Sequence, residues 1–351
     1  LSSLFSVGAS AQLIISNSKI TIIDQPTTLL SLISGQSTSN VAMNEVTMED
    51  AFSSGTLTSL VSLEDNGFLN VSNSYFSNAE LTGGTLFSIG ESTSIFCNCV
   101  FEDFSFTTAT AASLISTQDS ITLCNSSFKN VVITATAAVS MIQMTDAKQN
   151  TSTVEISNVT ISNVATTSAA LLFQNASSVT VESLTCSANT EGSCLRLEHV
   201  ESQVLSNVQI ASCSSTTYAA GIVALYPNLM TISTSSFTSN IGFYSYAFSS
   251  AASLQYNLAV QGGVALFIYG LNLDVTIDSS TFNGNKLNSD PTNDLGGPSL
   301  IFYSQEGQLK ITNSDFTLNS ANVGSNNAAV VVYSLTMQNS NFMYNIPYSH
   351  E

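Results

Sequence analysis

Positive charge is what this chain has least of: six lysines and arginines stand against 24 aspartates and glutamates, for a formal charge of −18. Lys19, Lys129, Lys148, Arg196, Lys286 and Lys310 are the whole basic set, scattered rather than clustered. Nucleic acid and anionic lipid both need grouped Lys and Arg, so neither is an expected partner. No run of about 18 apolar residues occurs, which argues against insertion in a membrane as a helix. Tryptophan is absent, there are two histidines, His199 and His350, and only 9% of residues are charged while 44% are hydrophobic. Solubility must then come from Ser, Thr and Asn. The chain opens on Leu1 inside a strand-like phrase without a visible signal sequence, and it reads as a segment of a longer chain.

What is present is a repeat. Residues 308–319, QLKITNSDFTLN, combine an alternating strand, a turn-forming Asn-Ser pair, an apolar anchor and a closing Asn. The anchor recurs as Ile20, Met48, Phe76, Phe101, Phe128, Ile161, Cys186, Ile210, Phe237, Phe282, Phe316 and Phe342. Spacings of 28, 28, 25, 27, 33, 25, 24, 27, 45, 34 and 26 residues mark a stacked architecture with occasional insertions. Five residues before each anchor sits an apolar residue with polar neighbours, as at Val71, Ile232 and Ile311, the period-two signature of a half-buried strand. Three before it the chain prefers Asn, as at Asn73, Asn98, Asn125, Asn158 and Asn313. Asn suits a bend between strands, and stacked coils would bring these amides into a ladder.

A second apolar phrase lies between anchors, for example Leu86-Phe87-Ser88-Ile89 and Leu266-Phe267-Ile268, and Val131-Val132-Ile133 suggests a third short strand. The expected fold is all-β, a right-handed parallel β-helix (solenoid) of about 12 coils, forming a rod roughly 55–60 Å long at sheet spacing. It reads as a single β-helix domain over 1–351, with insertions at about 129–153, 241–262 and 284–298.

Six cysteines point to an oxidising compartment. Cys97 and Cys124 each precede their anchors by four residues, so adjacent coils would set them side by side within disulfide reach. Among Cys186, Cys194 and Cys213 one pair is expected, and the sequence does not choose which. Cys99 reads as a small inward-facing apolar residue. Five N-glycosylation sequons begin at Asn70, Asn125, Asn150, Asn158 and Asn175. Asn125 and Asn158 fall on the ladder position, where a glycan would clash with stacking unless the side chain faces out. Asn150 and Asn175 look freer.

The closing Asn of Phe237-Thr238-Ser239-Asn240, Phe282-Asn283-Gly284-Asn285, Phe316-Thr317-Leu318-Asn319 and Phe342-Met343-Tyr344-Asn345, with Gly83-Gly84-Thr85-Leu86 and Gly262-Gly263-Val264-Ala265-Leu266, resembles the FxxN and GGxI/L repeats of the polymorphic outer-membrane-protein type. These belong to the pectin-lyase-like right-handed β-helix superfamily, and similar repeats occur in surface proteins of protists. The resemblance spans the chain and implies the fold; its repeats are scaffold residues, so it leaves enzyme, adhesin and structural protein open.

Enzymes of that superfamily use Arg or Lys bases with Asp-bound calcium, or Asp pairs with His and an Arg-x-Lys element. This chain has one arginine and no such string, and its charge would repel an acidic polysaccharide. The pairs Glu49-Asp50, Glu64-Asp65 and Glu102-Asp103 read as solvated turn residues, since neighbouring side chains in strands and turns point apart. No cofactor and no metal are expected; weak Ca2+ coordination by such turns is the alternative. The insertion carrying Phe243, Tyr244, Tyr246, Phe248 and Tyr256 is dense enough in aromatics to act as a contact loop. The expected function is that of a non-catalytic extracellular or cell-surface structural glycoprotein in a filament or matrix, meeting other copies, other extracellular proteins or glycans. A carbohydrate-binding adhesin is the alternative, and a polysaccharide lyase or hydrolase a minor one.

Overall fold

The computed structural model describes residues 3–21, 31–49, 59–81, 84–108, 112–135, 138–145, 151–215, 219–242, 245–246, 260–261, 265–287, 299–304, 306–321, 328–343 and 345–347. All regular elements among them are strands, in a parallel β-solenoid of about ten turns, close to the twelve expected. Two compact units, Leu1–Thr185 and Cys186–Glu351, divide the chain.

In the first unit one sheet takes a strand from each coil: Ser3–Val7, Ser31–Gly35, Ser59–Leu63, Gly84–Ile89, Ala112–Thr117, Ser140–Met144 and Ala169–Gln174, paired in parallel in that order. The other sheet is built from the repeated phrase, with Phe76 in register with Phe101 and Phe101 with Phe128. The second unit repeats the plan with Ser193–Glu198, Ile222–Leu225, Leu266–Tyr269, Leu300–Tyr303 and Ala328–Val331 in one sheet. Here a third, two-residue strand follows each anchor, as at Ser214–Ser215, Ile241–Gly242 and Lys286–Leu287. Val131-Val132-Ile133, by contrast, continues the anchor strand Ser127–Ala135.

The anchors form the core. Phe76, Phe101 and Phe128 are fully buried, their rings parallel and 5.0 and 4.9 Å apart. Phe237, Phe282 and Phe316 do the same in the second unit, at 4.9 and 4.5 Å. Each buried Phe is worth about 1.5–3 kcal/mol, with roughly 0.5–1.5 more per ring pair.

The bends follow from Asn. Asn73, Asn98, Asn125 and Asn158 have φ of 49, 55, 47 and 52°, the left-handed region that Asn tolerates best after Gly. A second bend, two residues after the anchor, uses Asn78, Asp103, Asn130 and Asn163 at φ 53–60°.

Of the expected insertions, residues 136–137, 146–150, 243–244, 247–259, 262 and 288–298 lie outside the described residues. Within 241–262 the described pieces include one antiparallel pair, Ser245–Tyr246 with Val260–Gln261.

Candidate functional site

Stacking sorts the polar side chains into columns. On the outside, the Nδ2 of Asn73 donates to Asn44 Oδ1 at 2.9 Å, that of Asn98 to Asn73 at 3.1 Å, and that of Asn158 to Asn125 at 2.9 Å. The second bend has its own ladder, Asn163 to Asn130 and Asn130 to Asp103, each at 2.8 Å. Inside the second unit the closing Asn residues stack too. Asn240, Asn285 and Asn319 are at most 1% exposed, and each donates both to the next amide oxygen and to the anchor carbonyl of the preceding coil, as Asn285 does to Phe237 O at 3.0 Å. Buried serines two residues before the anchor form a third column: Ser235, Ser280 and Ser314 accept backbone N–H bonds from the coil before.

These columns explain the free thiols. Cys99 holds the serine position and its Sγ lies 3.4 Å from Val71 O. Cys213 holds a closing-Asn position, with its Sγ 3.8 Å from Cys186 O. Burial pushes both thiols up to about 11, away from reactive thiolate. The remaining cysteines are joined as Cys97–Cys124, with Cα atoms 4.5 Å apart, and Cys186–Cys194, at 6.4 Å.

The carboxylates are similarly engaged. Asp278 accepts from Thr312 Oγ1, from Asn313 Nδ2 at 3.0 Å and from Ser279 Oγ at 3.0 Å, and the Thr312 bond first among these holds its carboxyl below the usual range. Asp315 accepts from Asn341 at 2.9 Å, and Glu102 from the Tyr75 hydroxyl. The sole arginine, Arg196, pairs with Glu198. Glu64 and Asp65 are exposed at the corner between the sheets, where Asp65 Oδ1 accepts from Glu91 N at 3.3 Å. They border an open cleft of about 460 Å³ with Asn66, Ser88, Ser116 and Gln118 on its walls. Gly90 also lines it, and a Cβ there would come within 2.9 Å of Asp65 Oδ1. Among the described residues no three of His, Cys, Asp and Glu are grouped to hold a metal ion.

The equivalent corner of the second unit is aromatic. His199 and Tyr226 stack at 4.7 Å and 10°, and Tyr269, buried with its hydroxyl pKa pushed up, meets Tyr226 edge-on and stacks on Tyr303 at 5.4 Å. The sequence reading missed this column, because the tyrosines fall in the second phrase rather than in the insertion. Of the insertion's aromatics, Phe243, Tyr244, Phe248 and Tyr256 lie outside the described residues, and Tyr246 ends a two-residue strand opposite Val260.

Sequon residues divide by environment. Asn70 is half-buried mid-strand and Asn175 half-exposed at a corner with φ 59°. Asn125 and Asn158 face solvent while remaining in the ladder, and Asn150 lies outside the described residues.

No protein-family model matches the chain, and no curated protein does. Among solved structures it is similar to the Streptococcus pneumoniae surface protein and adhesin PfbA, at 11% identity and TM-score 0.44 over 95% of this chain and 90% of that one. It is also similar to the Agl-KA catalytic domain, at 16% identity and TM-score 0.37 over 95% of this chain and 62% of that one. One neighbour is an adhesin and the other catalytic, and neither likeness is close enough to carry a function. No described helix is long and apolar enough to cross a membrane.

Proposed function

We propose that this chain is a non-catalytic extracellular structural glycoprotein, a β-solenoid scaffold that forms or docks into a surface filament or matrix. The observation that carries this reading is where its reactive side chains go. Asp278, Asp315, Glu102, Cys99 and Cys213 each bond to a neighbouring coil, so these polar groups hold coils together. Two disulfides support an oxidising, extracellular setting. Negative-stain microscopy of native material tests it: ordered assemblies are expected, together with no sugar release from pectin or alginate. Hydrolysis that disappears in Asp278→Asn or Asp315→Asn would overturn it.

A second reading, a carbohydrate-binding adhesin, is favoured by the polar cleft at Glu64 and Asp65. Binding of isolated monomers to a glycan array, lost in Ser88→Leu, is its signature.

A further inference from the structure

We propose that the corner of the second unit formed by Val204, Tyr226, Leu229 and Leu271 is a docking site for a basic amphipathic segment of another protein, an apolar anchor flanked by lysine or arginine. These side chains are 42, 38, 47 and 56% exposed, among the large apolar residues that the second unit leaves open to solvent. They are also contiguous. Leu229 is in register with Ser202, which places Val204 on its diagonal on the neighbouring strand, and Asp274 follows on the other side. Tyr226 and Leu271 cap the same turns from three residues upstream, and Tyr226 N donates to Tyr269 O at 2.6 Å.

The patch is held in advance of any partner. Tyr226 sits at φ 55°, a conformation uncommon for a bulky residue, and is fixed there by the His199 ring and by the backbone of Gly270, whose absent Cβ would lie 3.2 Å from Tyr226 Cα. A rigid aromatic flanked by aliphatic side chains is the composition of an interface hot spot.

The rim names the partner. Exposed Glu201, Asp274 and Glu306 border the patch. The basic groups on these strands are Lys310, displaced from Asp274 along the adjacent strand, and Arg196, already paired with Glu198. The field at the rim is therefore negative and favours lysine or arginine. A second copy presenting this same acidic rim to the patch would set acid against acid, and an anionic lipid surface fails for the same reason.

This partner deepens the scaffold reading and rests on it for its setting. The test uses the full chain and a short fluorescein-labelled synthetic peptide bearing leucines flanked by lysines, followed by anisotropy. Saturable binding is expected, weakened about tenfold or more by Leu229→Ser with Leu271→Ser and by Glu201→Gln with Asp274→Asn and Glu306→Gln, and unchanged by Val132→Ser on the other unit. Equal binding to the leucine double variant, or to a peptide with glutamate in place of lysine, would overturn the proposal. So would self-association or uptake onto phosphatidylserine vesicles that the double variant abolishes. Ordered assembly of native protein without any peptide scores the scaffold reading separately, so the two can fail independently.

Discussion

Replacing Asn285 with alanine isolates the interior amide column. The Asn285 side chain makes four bonds while wholly buried: it accepts from Asn240 N at 3.2 Å and Asn240 Nδ2 at 3.0 Å, and donates to Phe237 O at 3.0 Å and Asn319 Oδ1 at 2.9 Å. Truncation orphans two backbone groups that no rotamer change can relieve, and two side-chain groups that can partly readjust. With about 1–3 kcal/mol for each unrelieved group, the loss should be roughly 3–5 kcal/mol. Asn313→Gly, chosen because φ 51° at this position would strain alanine, removes a comparable ladder amide in solvent, which bonds Asp278 and Asn339, and should cost about 1 kcal/mol or less because water replaces the partners. Urea unfolding followed by circular dichroism measures the pair, with amide exchange at Asn240 reporting local opening, since a solenoid need not unfold in one step. Equal costs for the two variants would refute the claim that burial of the column, rather than amide stacking as such, stabilises the second unit.

Other expectations are simpler to score. Phe282→Ala, which removes an interior ring of the four-ring stack Phe237–Phe282–Phe316–Phe342, should destabilise the second unit by about 3–5 kcal/mol in the same urea assay. Under native conditions iodoacetamide should label neither Cys99 nor Cys213, and on mild reduction the half-buried Cys97 and Cys124 should be alkylated before the fully buried Cys186 and Cys194, as read by mass spectrometry. The contribution of Asp278, whose folded pKa is depressed, is present above the ordinary carboxylate pKa and lost as pH falls through the lower folded value. Asp278→Asn, which mimics the protonated carboxyl, should therefore flatten the acid limb of the stability profile by lowering stability at neutral pH while leaving the lowest pH values nearly unchanged. Glycopeptide mapping should find Asn175 modified to a greater extent than Asn158, whose Nδ2 donates to Asn125 within the ladder and would keep a single N–H once glycosylated.

The sequence made the stack legible because one residue type recurs at one offset for each physical task. Anchors read as core, Asn at the bend read as a ladder, and both fall where the register places them. The interior ladder of Asn240, Asn285 and Asn319 was visible only as a motif, since periodicity does not say which side of a bend faces inward. Cys213 was likewise open to pairing until the structure set it in the closing-Asn column, 3.8 Å from Cys186 O, with Cys194 taking the disulfide. The aromatic corner was not legible. His199, Tyr226 and Tyr269 are spaced by 27 and 43 residues, and only the intervening insertion length, invisible to any fixed period, brings them together.

Core, ladders and disulfides alike depend on coils stacked in one parallel register. Thr231 and Thr276 are partners on neighbouring strands although 45 residues apart, in the arrangement that already joins Cys97 to Cys124. Thr231→Cys combined with Thr276→Cys should oxidise to a disulfide found by mass spectrometry, while Thr231→Cys with Ile277→Cys, one residue out of register and facing the core, should not. Bridging in the second variant and none in the first would contradict the stacked register.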